Sequence, residues 1–474
     1  MSNYQKLKQH YQFPFELRDF QIEDLETFGD SDRFGCYYDP GLGKTVEAIA
    51  WGMLQRLRGA CKRFIVLVPP IVFNSWVRSV TAVTNKVTGQ PLSILLYRGT
   101  PKKREELRAE AGKYDFVCMT WEIFKNDFMD IAEVIEKHDF GFLADEAQAQ
   151  KNVKSGNHKA LYNAAAGRPV MLMTGSPTTK PNDAYAYMRL TNPNAYRNYN
   201  HFLRTHVESE DGYGNPTKFI NLEMLNKNFL VNSVRRYKRD HLKDLPAVQY
   251  IPTFYDLDPA HYKLYKELAE QKLLELEGSD EVIDALSASR LMHALQQIVV
   301  NYGHFTGNPA KISNGIHLVE EVLDEIGDEK LLVVSNYKMT NKLLLELFAE
   351  KYGAVGIYGD VTHKQRDENV NRFVTDKGCR LMVIEAKAGG VGLDGLQHVC
   401  SEGLFLECSS TPKDFYQAAA RLDRSGQTKP INWRIAVANK TLQVRRHVQL
   451  LGNDELVQAV EGGTSDLRKM IYGE

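Results

Sequence analysis

Short runs of β-branched and large apolar side chains recur along the chain, each followed by turn residues and then a helical pattern. In the first half they cover 64–68, 116–119, 140–144 and 170–173; in the second, 331–334, 381–384, 404–406 and 431–437. Continuous apolar runs of this length, alternating with helices, predict buried parallel strands in βαβ units. Helices are expected over 46–57 and 342–351. A stretch from about Asn182 to Val322 reads as a long helical insertion between the strand sets. It holds periodic helices at 260–276 and 282–298, broken at Glu277-Gly278-Ser279-Asp280. Leu245-Pro246 and the residues from Tyr250 to Asp258 read as the crossing between two lobes, which divides the chain into 1–246 and 247–474. The fold class is α/β, with functional edges expected at the C-terminal ends of the strands. The charged segment 441–470 is expected to form helices bracing the second lobe.

Composition narrows this picture. A chain of 474 residues is too long for one ordinary core. With 43% hydrophobic and 25% charged residues it belongs with folded globular proteins. Lys+Arg (59) and Asp+Glu (60) nearly cancel, so any nucleic-acid surface must be a local patch. The six cysteines form no CxxC pair, which points to a reduced, cytosolic compartment without structural zinc. No apolar run is long enough to span a bilayer and no leader opens the chain, so a cytoplasmic protein is expected.

The chemistry starts at Asp39-Pro40-Gly41-Leu42-Gly43-Lys44-Thr45. Glycines let backbone N–H groups approach phosphates, Lys44 supplies a charge, and Thr45 offers a hydroxyl to Mg²⁺. At the end of an apolar strand, Asp145-Glu146-Ala147-Gln148 adds two carboxylates, Asp145 suited to Mg²⁺ and Glu146 to the attacking water. Near the other end, Gln417-Ala-Ala-Ala-Arg421-Leu-Asp-Arg424-Ser-Gly-Gln427 carries two arginines one helical turn apart, read as arginine fingers. Thr174 lies at the tip of the 170–173 strand, where a hydroxyl can couple the phosphate site to its neighbours. The segment Glu210-Asp-Gly-Tyr213-Gly-Asn-Pro216 lies between apolar flanks and predicts a protruding hairpin or loop, read either as an ordinary surface insertion or as a strand-separating wedge in which Tyr213 stacks on a base.

These strings together resemble the Swi/Snf-type ATPases of helicase superfamily two, from about Leu17 to Thr441. Leu17-Arg18-Asp19-Phe20-Gln21 is similar to the family's adenine-reading element, with Arg18 and Gln21 at the nucleotide. Lys151-Asn152 and Ser155 follow the acidic motif as in the family, and Arg235-Arg236-Tyr237-Lys238 resembles the Arg-Arg-x-Lys element closing the first lobe. Lys387-Ala-Gly389-Gly-Val-Gly392-Leu393 is similar to motif V. Gln148 departs from the usual histidine, and Asp394 from a common asparagine. The resemblance implies two tandem RecA-like lobes, ATP with Mg²⁺, and nucleotide contacts from Pro40 to Thr45, Gly392 and Gln417. It further implies nucleic-acid contacts at Pro70, Asn74, Trp76, Lys102, Lys103, Arg104, Thr120, Trp121 and Thr174 in the first lobe. In the second they fall on Ser335, Asn336, Tyr337, Gly359, Arg366, Lys387 and Gly389. Compactness makes the chain similar to stand-alone bacterial and bacteriophage members. The activity implied is an ATP-dependent motor that tracks duplex DNA and remodels or unwinds branched DNA. The alternatives are a translocase without strand separation, an RNA helicase and a non-catalytic binding module.

Overall fold

A computed structural model describes residues 1–444 apart from 15, 179, 213–215, 243–244, 278–284, 387–392, 394 and 408–411. For residues 71, 272–277, 285–290, 363 and 412–413 it describes the backbone only. The expectations for Lys387, Gly389, Gly392, Tyr213, the break at 278–280 and most of 441–470 therefore fall outside the described residues. The chain divides into two units, Met1–Lys243 and Asp244–Glu474.

Seven strands carry the first unit: β1 Arg33–Tyr38, β2 Arg63–Val68, β3 Ile94–Leu96, β4 Phe116–Thr120, β5 Phe140–Ala144, β6 Val170–Met173 and β9 Ser233–Arg236. They form one sheet in the order β9-β1-β6-β5-β2-β4-β3, with every pairing parallel. All five residues of β4 and all five of β5 are buried, as a parallel sheet covered on both faces requires. Ile65, Leu67, Val117, Met119, Phe142 and Ala144 share one core cluster on one of these faces. Strands β7 Val207–Glu210 and β8 Pro216–Phe219 pair separately as an antiparallel hairpin whose side chains are mostly exposed.

In the second unit the strands are β10 Val248–Tyr255, β11 Leu331–Ser335, β12 Val355–Ile357, β13 Leu381–Glu385, β14 Glu402–Phe405 and β15 Ile431–Ala438. Their order is β10-β15-β14-β11-β13-β12, again parallel throughout. Successive residues feed opposite faces: Leu331, Val333 and Leu404 join one core cluster, Leu332, Val334 and Phe405 the other. Two tandem α/β lobes on parallel sheets are thus the architecture. No helix among the described residues is long and apolar enough to cross a membrane.

One expectation needs correction. The stretch from Asn182 to Val322 is not purely helical: besides the helices Pro259–Glu277 and Ala285–Val300 it contains β7, β8, β9 and β10. Pro252 inside β10 masks that strand, yet β10 is a sheet edge, where a missing N–H is tolerated. Tyrosines hide β1 in the same way. Tyr37 is buried against Phe229 and Tyr187, and Tyr38 spends its hydroxyl on Asp24 at 2.5 Å.

Behind the acidic motif, His158 is fully buried in the Gly156–Ala164 helix, its Nδ1 2.7 Å from Gln150 Oε1. Nε2 has no partner, so a proton there would bury an uncompensated charge. Burial, reinforced by the Arg189 charge, pushes this imidazole down to about 4. Between pH 6.5 and 4 the unfolded chain holds a proton that the folded chain excludes. The group's contribution is complete above pH 6.5 and is lost as pH falls, by about 2 kcal/mol at pH 5. Denaturant titrations at pH 7.5 and 5 should show a smaller acid loss for His158→Asn than for the wild type.

Candidate active site

The phosphate loop begins where β1 ends. Gly41 and Gly43 have φ of 88° and 81°, a region in which side chains with a Cβ are strained. Added bulk at Gly43 would also meet Gln21 Nε2 at 3.0 Å. Leu42 turns inward and is buried, whereas Pro40, Lys44 and Thr45 are half-buried. Lys44 opens the Lys44–Leu57 helix and donates from Nζ to the Tyr38 carbonyl at 3.0 Å. Gln21 is buried, donating from Nε2 to the Gly43 carbonyl (3.3 Å) and accepting at Oε1 from the Arg18 N–H (3.0 Å). Its amide links the Asp19–Phe28 helix to the loop. Burial lowers the pKa of the half-buried Arg18 guanidinium.

A second layer fixes the loop from behind. Arg235 on β9 donates to Asp39 Oδ1 at 2.5 Å and to the Tyr37 carbonyl at 2.7 Å, and the Lys238 N–H donates to Asp39 Oδ2 at 3.0 Å. Arg236 holds Asp24 at 2.5 Å and Glu23 at 2.8 Å. Glu47, one turn into the helix, is fully buried, and burial followed by the Asp24 charge raises its carboxyl well above the usual range. Sequence reasoning missed Asp24, Asp39 and Glu47. The one available signal was an acid on either side of the glycines, uninformative without knowing that β9 pairs with β1.

At the end of β5, Asp145 is buried with both carboxylate oxygens engaged. Trp76 Nε1 donates to Oδ2 at 3.0 Å and the Glu146 N–H to Oδ1 at 2.9 Å. Trp121 Nε1 donates to the Asp145 carbonyl at 2.9 Å. Burial, then the neighbouring Glu146 charge, pushes the carboxyl up to about 6. Glu146 is half-buried with φ 48°, an unusual conformation for a residue with a side chain. It accepts from Gln148 Nε2, and Gln148 Oε1 accepts from Thr174 Oγ1 at 2.6 Å. A continuous relay therefore joins Glu146 to the tip of β6.

Several expected nucleic-acid contacts are corrected by burial. Trp76, Trp121 and Thr174 face the interior, because large indoles are driven inside and their N–H groups are satisfied by Asp145. Thr120 is buried and caps the Trp121–Asn126 helix, accepting from the Ile123 N–H at 3.1 Å. Arg104 is held by Asp127 at 2.6 Å rather than presented to solvent. Pro70, Asn74, Lys102 and Lys103 are exposed, Lys103 in a surface pair with Glu106.

The second unit shows the same pattern. Ser335 and Tyr337 are buried: the Ser335 hydroxyl donates to Glu407 Oε2 at 3.0 Å, and the Tyr337 hydroxyl to Gln296 at 2.8 Å. Glu407, unforeseen in the sequence, also accepts from the Asn336 N–H (2.7 Å) and the Thr340 hydroxyl (2.5 Å), and burial pushes it up to about 7. The Ser335 hydroxyl and the Asn336 backbone N–H thus meet an internal carboxylate. Gly359 is exposed, its N–H 3.1 Å from Glu385 Oε2, and Arg366 is half-buried. The two arginines are not on a helix. The Pro412–Ala419 helix ends before them, and its hydrogen bonds tighten from i−4 at Ala420 to i−3 at Arg421 and Leu422. Arg421 is buried; Arg424 donates to the Leu393 and Ala420 carbonyls, both at 2.9 Å. Gln417 is half-buried, and Gln427 donates to the Cys400 carbonyl at 2.9 Å, closing the turn.

Comparison with known proteins matches residues 37–302 to the SNF2-related domain and 314–426 to the helicase conserved C-terminal domain. Among curated relatives, a chromodomain-helicase-DNA-binding protein 1-like of Danio rerio is 24% identical over 94% of this chain and 42% of its own. ATP-dependent helicase FUN30 of Saccharomyces cerevisiae is 21% identical over 86% of this chain and 43% of its own. An uncharacterised ATP-dependent helicase of Mycoplasma genitalium is 24% identical over 93% and 42%. The chain therefore spans less than half the length of these relatives. A solved SWI2/SNF2 ATPase core of Sulfolobus solfataricus in complex with dsDNA is 20% identical, covers 97% of this chain and 98% of its own, and has a TM-score of 0.43. With the SNF2-related domain alone covering more than half of its residues, the chain belongs to the SNF2-related, Swi/Snf-type family of helicase superfamily two.

Proposed function

We propose that the protein is an ATP-driven DNA motor that tracks along duplex DNA and remodels or unwinds forked and branched substrates. The observation carrying this reading is the pairing of two elements on one sheet edge. The glycine loop follows β1, and buried Asp145 with half-buried Glu146 follows β5, two strands apart in a parallel sheet. The names of the relatives, ATP-dependent helicases and a DNA-binding protein, support it.

The residues suit a nucleotide with its metal. Two glycines in the left-handed region open a concave loop at a helix N-terminus, where anions are favoured. Asp145 is a buried carboxylate whose negative charge burial disfavours, a cost that a nearby cation relieves. Lys44 and the loop amides would hold the phosphates of ATP, and Thr45 with Asp145 the Mg²⁺. Bound magnesium supplies neutralisation of charge on the phosphate oxygens. Trp76 and the Glu146 N–H keep Asp145 in one orientation. Glu146 takes the proton of the attacking water, its carboxylate steered by Gln148 and Thr174. Arg421 and Arg424 are assigned to the charge on the transferring phosphoryl group. Exposed Pro70, Asn74, Lys102 and Lys103 hold the DNA backbone without reading bases.

Lys44→Ala should abolish ATP turnover while leaving DNA binding near the wild-type value in gel-shift titration. Glu146→Gln should retain nucleotide binding yet fail to hydrolyse; wild-type turnover in either variant excludes this site. For the arginines, Arg421→Ala and Arg424→Ala should lower kcat by roughly 10³–10⁵-fold with little change in KM. An effect confined to KM would make them ground-state binders.

A second reading, translocation without strand separation, turns on the exposed hairpin. Replacing residues 211–216 with a short Gly-Ser turn should spare duplex-stimulated ATP turnover and abolish unwinding of a labelled fork. Unwinding at the wild-type rate would remove the hairpin as the separating element.

A further inference from the structure

A cavity of about 410 Å³ opens in the first unit, away from the phosphate loop. Its lining includes Tyr162, Tyr185 and Tyr199 together with Lys154, Arg189 and Arg197, and no carboxylate. Three cations in one cavity stand out in a chain of net charge −1. The Arg189 guanidinium lies over the Tyr162 ring at 3.6 Å, and the Tyr185 and Tyr199 rings are 5.0 Å apart. Lys154, Tyr162 and Arg197 are exposed. The walls therefore combine flat π surfaces with positive charge, and the volume falls in the roughly 300–1,000 Å³ range of ligand sites.

The location adds a second argument. Tyr199 opens the Tyr199–His206 helix, which runs directly into β7 of the exposed hairpin. Eight residues of helix span about 12 Å, which is the distance along the chain axis from Tyr199 at the cavity to the start of the hairpin.

We infer that the cavity takes one unstacked nucleotide from a single-stranded DNA arm. The base rests on the Tyr162–Arg189 pair and Tyr199, and the phosphate associates with Lys154 and Arg197. Aromatic rings and arginine planes stack on any base, so capture is independent of sequence. An acidic peptide would use the cations but leave the stacking surface idle. The inference rests on the DNA-motor reading and specifies how that motor holds a strand after separation.

A forked duplex with 2-aminopurine in one arm provides the test. Wild-type protein should quench the probe at one arm position, and 5-iodouracil at that position should photocrosslink to a peptide containing Tyr162 or Tyr199. Tyr162→Ala should weaken arm binding by about 5- to 150-fold, the worth of one base stacked on an aromatic ring. Lys154→Glu with Arg197→Glu, both at exposed positions, should remove the quench and lower the slope of log K against log[salt] by at least about 0.7. The crosslink needs no variant and so does not depend on the folding of any. An unquenched probe with crosslinks mapping elsewhere overturns the inference, including the case in which the cavity takes a protein segment. If blunt duplex stimulates ATP turnover while the arm gives no signal, the cavity fails alone; if no DNA stimulates turnover, the motor reading fails first.

Discussion

Burial of the Asp145 carboxylate is the constraint around which the first unit is arranged. A charged group cannot sit in a nearly dry interior unless donors or a cation meet it. Here Trp76 and the Glu146 amide do so, and Trp121 holds the same residue's carbonyl. The Trp76 helix follows β2 and Trp121 follows β4, so three neighbouring strands converge on one carboxylate. The left-handed conformation of Glu146 then turns its side chain into the Gln148–Thr174 relay rather than back along the strand.

Much of this was legible in the sequence where the signal is local. The runs at 140–144 and 170–173 match β5 and β6 residue for residue, because buried parallel strands leave a dense apolar string. The glycine loop and the acidic pair are equally local. What failed to show were side-chain directions and distant partners. Trp76 and Trp121 look like surface stacking groups until β5 is known to end between them. The Arg235–Asp39 and Arg236–Asp24 pairs join residues 196 and 212 positions apart, a separation no periodicity encodes.

The second unit carries the same lesson in a different form. Ser335, Asn336 and Tyr337 have the residue types of a phosphate grip, but the Ser335 hydroxyl and the Asn336 backbone N–H already meet the Glu407 carboxylate, and the Tyr337 hydroxyl meets Gln296. The Glu407 carboxylate fixes the turn after β11 from the end of the adjacent β14. Polar residues at a strand tip thus have two possible customers, solvent-side ligand or internal acid, and only the fold decides between them. Arg421 and Arg424 show the related point for spacing. Three residues apart implies one helical face only while the helix lasts, and here it stops at Ala419.

In both sheets the first strand in sequence pairs with the last: β1 with β9, and β10 with β15. Chain emerging from a ribosome therefore lays down β1 and its glycine loop early, but the neighbour that secures them arrives some two hundred residues later. Until Arg235 and Arg236 appear, Asp39 lacks its guanidinium partner and Asp24 has only the Tyr38 hydroxyl, so the second layer behind the loop is incomplete. The order of synthesis therefore separates the making of the nucleotide loop from the arrival of the Arg235 and Arg236 contacts that hold it from behind.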